Sequence, residues 1–523
     1  MSLQSEIQSK TLQENNDLLS ELVDFLEKEV KQERENLYRV LLCGLSSITA
    51  NPINMRILAP TSEGKSYLLE KVSNLFPEKN MIKLSSASAK SFKYSHGKLV
   101  IENGGKYVDL DEKIKPLQSK LKDSSDNEEK EKIKSEIKSL KSQASQLIDL
   151  ENKWLIFMDS QDPNLWDFLK SLLSHDSEYI KHNVTNKIGG SNKLQKVVFK
   201  GKPAVIYASA KDESKRDLTS EIDTRFQTIS LKANSQKYKQ SIDLLGKKHG
   251  LGPIYEEEVT SEEEFQEAKN SILRLIENLK KFGKSKAPII NLFSKKMSEI
   301  FPSESGVRSR EFSRLAQTIT ILTLCNANNR PKVVIKNNEY PVTYLSDIQK
   351  AVKIIQANLG LPHYKIQFFN DFAKPAIEEL GTDVIIGAKE VSALPASEIM
   401  EYYKNKKDGI NTDRKKILET FLIPLTHYGF LERDRDPNLR TRDIFWISPQ
   451  YENKEAPMES TLIDVSAFDR TCVTSFLDKY FKRRLEENKL YIIDTNGSRI
   501  TLDRLCEMTL SNDITPLENR FKN

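Results

Sequence analysis

The stretch Ala59-Pro60-Thr61-Ser62-Glu63-Gly64-Lys65-Ser66 limits what this chain can be more than any other. Its spacing is that of a phosphate-binding loop, G-x-x-x-x-G-K-[ST], with alanine in the first glycine position. A short apolar run, Ile53 to Leu58, precedes it, and Tyr67 to Leu75 has helical character. A strand feeding a loop that opens a helix gathers backbone N–H groups and the positive end of a helix dipole at one point. Gly64 lets the backbone approach phosphates, Lys65 reaches the β and γ phosphates, and the Ser66 hydroxyl can ligate Mg²⁺. A chance turn before a helix is the competing reading, and the strand in front of it argues against chance. The loop therefore predicts ATP and Mg²⁺ as cofactors.

The rest of the composition sets bounds. A chain of 523 residues predicts two to four domains. Charged residues at 30% and apolar residues at 38% fit a soluble globular protein. The net charge of +5 is small, so any nucleic-acid surface must be a local basic patch. Cys43, Cys325, Cys472 and Cys506 lie far apart, which predicts free thiols and no zinc site. The first sixteen residues are polar, and no run reaches the ~18 apolar residues of a spanning helix. A cytoplasmic protein is the expectation.

Along the chain, residues 1–50 read as an N-terminal helical segment and 51–232 as an α/β core. Within that core, Lys98 to Leu110 reads as a hairpin turning at Asn103-Gly104-Gly105. Residues 111–150 read as a charged helical pair, with Ile133, Ile137, Leu140, Ala144 and Leu147 forming a heptad seam; a single solvated helix is the alternative. Residues 233–330 read as an all-α lid, 331–380 as a helical connector and 381–450 as a winged-helix domain. Residues 451–523 are an extension without a functional reading.

A second chemical element is Trp154-Leu155-Ile156-Phe157-Met158-Asp159. An apolar strand ending in a carboxylate places Asp159 at the sheet edge, beside the phosphates, where it can hold Mg²⁺. Ser160-Gln161-Asp162 follows. Asp162 or Gln161 is a candidate for polarising water, and Asp162 equally reads as a cap of the helix at Pro163.

On these elements the chain resembles the AAA+ ATPases over about residues 40–330. More narrowly it resembles the clade with a hairpin before sensor 1, including minichromosome maintenance (MCM) and superfamily 3 helicases. Pro203 to Ala210 looks like the sensor 1 strand, which would make Ser209 the residue facing the γ phosphate or water. Asp223-Thr224-Arg225-Phe226 is similar to the MCM arginine-finger segment. Arg225 would then complete a neighbour's site, implying a homo-oligomer, possibly a hexameric ring; a surface arginine paired with Glu221 or Asp223 is the alternative. Gly306 to Leu315 is similar to the lid helix of sensor 2, with Arg310 the first candidate and Arg308 the second.

Tyr179 to Lys202 alternates apolar and polar residues around Ile188-Gly189-Gly190-Ser191 and carries Lys187, Lys193 and Lys196. It occupies the slot of the pre-sensor 1 hairpin, which in such helicases contacts the DNA backbone. In the winged-helix candidate, Pro395 to Lys404 and Thr412 to Tyr428 read as helices, the second capped by Asn411 or Thr412. Arg433, Arg435, Arg440 and Arg442 decorate the wing, a pattern suited to DNA, although many winged helices bind protein. The resemblance implies a DNA helicase or translocase, for example of a mobile or viral element. The alternative is an ATP-controlled initiator or transposition regulator with slow hydrolysis, since Asp159 lacks a following glutamate. A protein-remodelling ATPase is a third reading.

Overall fold

This computed structural model describes all residues except 1–16, 86–96, 125, 160–162, 174–176, 189–190, 210–224, 232–234, 304–305, 356–362, 388, 407–411, 428, 438, 440, 454, 456–462 and 511–523. Helices α1 (Leu18–Glu27) and α2 (Arg34–Ser46) lead into strand β1 (Met55–Leu58), helix α3 (Lys65–Ser73) and strand β2 (Met81–Leu84). A hairpin, β3 (Gly97–Asn103) and β4 (Lys106–Asp109), is followed by α4 (Leu110–Asp123) and α5 (Asn127–Gln143). Then come β5 (Ser145–Asp149), β6 (Trp154–Phe157), α6 (Pro163–Leu173), β7 (Tyr179–Ile188), β8 (Ser191–Lys200), β9 (Ala204–Ser209) and β10 (Gln227–Ser230).

Five of these strands form one parallel sheet in the order β10-β1-β9-β6-β2. Strands β1, β6 and β9 are buried at every position. Parallel strands covered on both faces need such unbroken apolar runs, which is why the sequence showed them. The α/β class and the parallel sheet are as expected. Behind it, Trp166 of α6 packs among Phe157, Tyr207 and Phe226, with ring centroids 5.7, 4.5 and 5.5 Å away.

A second sheet was not foreseen. Its order is β4-β3-β5-β8-β7, with β5 and β8 parallel and the other neighbours antiparallel. The heptad seam is corrected here. Helix α5 ends at Gln143, and Leu147 belongs to β5. Of the proposed seam, Ile133 is buried while Ile137 and Leu140 are partly exposed. The two charged helices do lie against each other, as the paired reading expected.

The chain passes from β8 to β9 through Gly201, at φ +93°, where an added Cβ would sit 2.5 Å from the Glu151 backbone nitrogen. Gly201→Ala is expected to cost about 1–3 kcal/mol through left-handed strain and that clash. A lower urea midpoint at unchanged slope would show it; an unchanged midpoint would contradict it.

The second half begins with α7 (Ser235–Leu251), α8 (Glu262–Phe282) and α9 (Gly306–Cys325), then a hairpin of β11 (Lys332–Ile335) and β12 (Asn338–Pro341) and the helix Leu345–Ile354. Residues 363–380 form a helix, followed by β13 (Thr382–Ile386), β14 (Lys389–Pro395), the helix Ala396–Lys406, a helix over 414–427, β15 (Leu431–Arg435) and β16 (Asp443–Ile447). A helix over 470–486, β17 (Leu490–Ile493) and the helix Leu502–Leu510 complete the described chain.

The apolar cores divide this half differently from the sequence reading. One cluster joins α1, α2 and the main sheet to α8, α9, Val333, Ile348 and the C-terminal residues Ile463, Phe468, Val473, Leu477, Ile492 and Leu505. Strand β11 pairs antiparallel with β12 on one side and β17 on the other. The N-terminal helices and the final extension are thus parts of the main body. A second cluster runs from Ile366 to Ile447, so this lobe begins inside the stretch read as a connector. After its first helix comes a β13–β14 hairpin, in the sheet β13-β14-β16-β15. Asp413, rather than Asn411 or Thr412, caps the helix at 414, accepting from the Lys416 N–H at 2.7 Å; Asn411 lies outside the described residues. Two helices of this lobe widen into π turns, Phe369–Ala373 and Leu418–Leu422, just ahead of Pro375 and Pro424. A proline lacks the N–H for the preceding turn and crowds the carbonyl four residues back, and a wider turn relieves both.

Candidate nucleotide and nucleic-acid sites

The phosphate loop leaves the carboxyl end of β1, and α3 starts at Lys65. Gly64 is left-handed at φ +87°, as is Ser62 at +69°. Ala59 is not among the positive-φ residues, and it is 4% exposed, with its N–H donating to the Ser209 carbonyl at 3.3 Å. That explains the missing first glycine: a methyl group fits the core there, and the backbone asks for nothing unusual. No side chain caps the α3 N-terminus, so its first N–H groups face the loop. The Lys65 ammonium donates to its own loop, to the Ala59 carbonyl at 2.8 Å and the Pro60 carbonyl at 2.6 Å. Partial burial lowers its pKa, while the negative charges of Asp159 and Glu63 oppose the shift.

Asp159 is exposed two residues beyond Phe157, and Ser209 lies two beyond Tyr207; Phe157 and Tyr207 are register partners. Ser209 also pairs with Leu58 and is 1% exposed. The structure therefore brings Lys65, Asp159 and Ser209 to one edge of the sheet. No group of three or more His, Cys, Asp or Glu that could hold a metal occurs among the described residues. A site of one hydroxyl and one carboxylate still suits Mg²⁺, which keeps waters and takes substrate phosphates as ligands. Asp162 and Gln161 lie outside the described residues, as do Glu221, Asp223 and Thr224.

The arginines are placed differently from one another. Arg225 donates to the Lys170 carbonyl at 2.8 Å, near the end of α6. Arg308 pairs with Glu311 at 2.8 Å, and Arg310 is exposed. Arg314, which the sequence reading passed over, donates to the Phe226 carbonyl at 2.8 Å. Burial lowers its pKa to about 10, with Glu311 opposing and Arg310 and Arg56 adding to the shift.

Sequence reasoning also missed a latch over the loop. Lys237 of α7 is 2.8 Å from the buried Glu33 carboxylate and donates to the Glu63 carbonyl at 3.1 Å. The neighbouring Tyr238 hydroxyl donates to the Glu63 carboxylate at 2.7 Å. A lysine at the start of an exposed helix ordinarily reads as solvated, so no local signal marked it.

On the candidate nucleic-acid side, β7 and β8 pair over their full length, with Lys187 opposite Asn192 and Lys193 opposite Asn186. Strand β5 pairs with β8 only at Val197 to Lys200, so the ribbon from Asn183 to Lys196 runs on beyond it. Lys196 is exposed; Gly189 and Gly190 lie outside the described residues. At the base, Lys181 and Lys200 are engaged by Glu102 at 2.8 Å and Glu151 at 2.7 Å. In the second lobe Arg433 and Arg435 are exposed on β15, with Arg433 3.8 Å from Asp443. Arg442 is bound to the buried Asp436 at 2.5 Å, which gives it a structural task in the connection. Arg440 lies outside the described residues.

No family model matches the sequence, and no curated protein does. Among solved structures, the chain is similar to the Orc1 protein of Aeropyrum pernix in complex with DNA, at 10% identity and a TM-score of 0.21. That match covers 87% of this chain and 94% of the other. No helix among the described residues is long and apolar enough to cross a membrane.

Proposed function

We propose that this chain is an ATPase of AAA+ type that acts on DNA. The observation that carries the reading is the phosphate loop: left-handed Gly64, an uncapped helix start, and Lys65 within electrostatic reach of Asp159, with Ser209 at the end of the strand beside β1. In this reading Ala59 to Ser66 wrap the phosphates, and Lys65 neutralises the β and γ groups. Ser66 and Asp159 share Mg²⁺, and Ser209 meets the γ phosphate or water. Asp162 and Arg310 keep their assignments as water-orienting and sensor residues. Residues 233–330 act as the lid and 366–447 as a winged helix, with Lys187, Lys193, Lys196, Arg433 and Arg435 as backbone contacts and Arg440 and Arg442 beside them.

Between motor and switch, the geometry favours an ATP-controlled switch, such as an initiator. Asp159 has no glutamate after it, and Arg225 is engaged within its own chain at Lys170. A switch turns over slowly and with little response to DNA. ATP turnover with and without single-stranded and duplex DNA, for wild type and for K187A/K193A, tests this. Turnover changed less than about twofold by DNA is the expected result. Strong stimulation that K187A/K193A removes would return the helicase reading. So would mixing inactive Arg225→Ala with inactive Lys65→Ala and recovering turnover, because that places Arg225 in a neighbour's site within a ring.

A further inference from the structure

Helix α7 buries only Lys237 among its residues, and its other face looks onto the end of α1 across an open cleft of about 780 Å³. Lys28 and Lys31 line it from the α1 side, Lys239 and Lys247 from α7, with Gln240 and a single carboxylate, Asp243. Two of the lysines are matched: Lys28 lies 2.5 Å from Glu264 and Lys247 3.2 Å from Asp243. Lys31 donates to an uncharged partner, the Glu27 carbonyl, at 3.0 Å, and Lys239 is exposed.

We propose that this cleft binds the phosphodiester backbone of a nucleic-acid strand and that α7 carries the signal to the phosphate loop. Four lysines from two elements line one volume, and Asp243 is the one carboxylate among its described lining residues, a charge balance that favours an anion. Lysine is a compact point charge suited to phosphate without regard to sequence. The described lining is lysine and glutamine with Asp243, and Leu244 and Val259 are its apolar members, which offers little to a stacked base. The proton affinity of Lys31 is lowered by partial burial and by Lys247, while Glu27, Glu29 and Asp243 work against the drop. The route to the loop is short. Lys237 and Tyr238, which hold Glu63, immediately precede Lys239 on the same helix. The coupling rests on the nucleotide reading above; the binding does not.

The test is K31Q/K239Q, which leaves neither Glu264 nor Asp243 without its partner. Anisotropy of a labelled oligothymidylate is followed across a salt series without nucleotide, and ATP binding is measured by calorimetry in parallel. The variant is expected to bind the strand roughly tenfold more weakly at low salt, with a log–log salt slope shallower by about 1.4 for two lost phosphate contacts. Its ATP affinity should match wild type. Unchanged strand affinity and slope would overturn the proposal. So would a fall in ATP affinity alone, which would give the cleft to the nucleotide, or tripolyphosphate binding as tightly as the strand, which would make it a site for a small anion. Lys65→Ala separates the two readings, since it should lose ATP and keep the strand.

Discussion

Lys65→Ala should weaken ATP binding by roughly 10²- to 10³-fold, equivalent to about 3–4 kcal/mol. The loss is large because a single ammonium faces the most highly charged part of the ligand beside an uncapped helix start. It is specific because the folded chain depends little on that side chain: Lys65 is partly exposed and touches two loop carbonyls. Calorimetry with MgATP would measure the change directly. Thermal melts give an independent reading, since a ligand at ~100 times its Kd stabilises by about 2.7 kcal/mol. Wild type should show that rise and Lys65→Ala should not, while both melt alike without nucleotide. Equal ATP affinity in the two proteins would sink the nucleotide site.

Trp166→Ala should cost about 3–5 kcal/mol, the largest stability effect we expect from one side chain. Trp166 is 3% exposed and packs on three rings, two of them, Phe157 and Tyr207, on the strands that lead to Asp159 and Ser209. Its indole N–H is buried without a hydrogen-bond partner among the described residues. Trp166→Phe removes that unpaired donor together with some volume, so its cost should stay below about 1.5 kcal/mol. Urea titration of both variants measures the contrast. Similar losses would mean that the ring cluster is not what holds α6 to the sheet. Trp166→Ala should also loosen Arg225, whose hydrogen bond is to Lys170 four residues along the same helix.

What the sequence revealed follows from how each feature is written. Strands β1, β6 and β9 were legible because burial on both faces demands consecutive apolar residues. The loop was legible because its chemistry lies in eight adjacent positions. The Tyr179–Lys200 hairpin showed itself through alternation about a glycine pair. Strand β5 did not, because Ser145 to Asp149 gains its meaning from partners near residues 100 and 198, and its Leu147 also fits a helical period. The pairing of β11 with β17 was hidden for the same reason, as it spans about 155 residues. Lys237 and Glu33 meet across 204 positions, and only the folded chain makes a buried pair of them. Arg314 resembled its neighbours Arg308 and Arg310 in sequence; packing alone set it apart, half-buried against the Phe226 carbonyl.

The closing of the main body by β17 has a mechanical consequence for the second lobe. The lobe is an insertion: the chain enters it after Ile355 and re-enters the main core at Ile463. A tail on one linker could swivel and pass no torque. A lobe joined at both ends is tethered at once to the chain after the Leu345–Ile354 helix and to the chain before the 470–486 helix. Synthesis is affected too. The core that carries the nucleotide loop stays open until residues beyond 490 have emerged, whereas the inserted lobe has all of its own cluster some forty residues earlier. The lobe is therefore placed to fold first and to present the phosphate loop's body with a finished neighbour when β17 closes it.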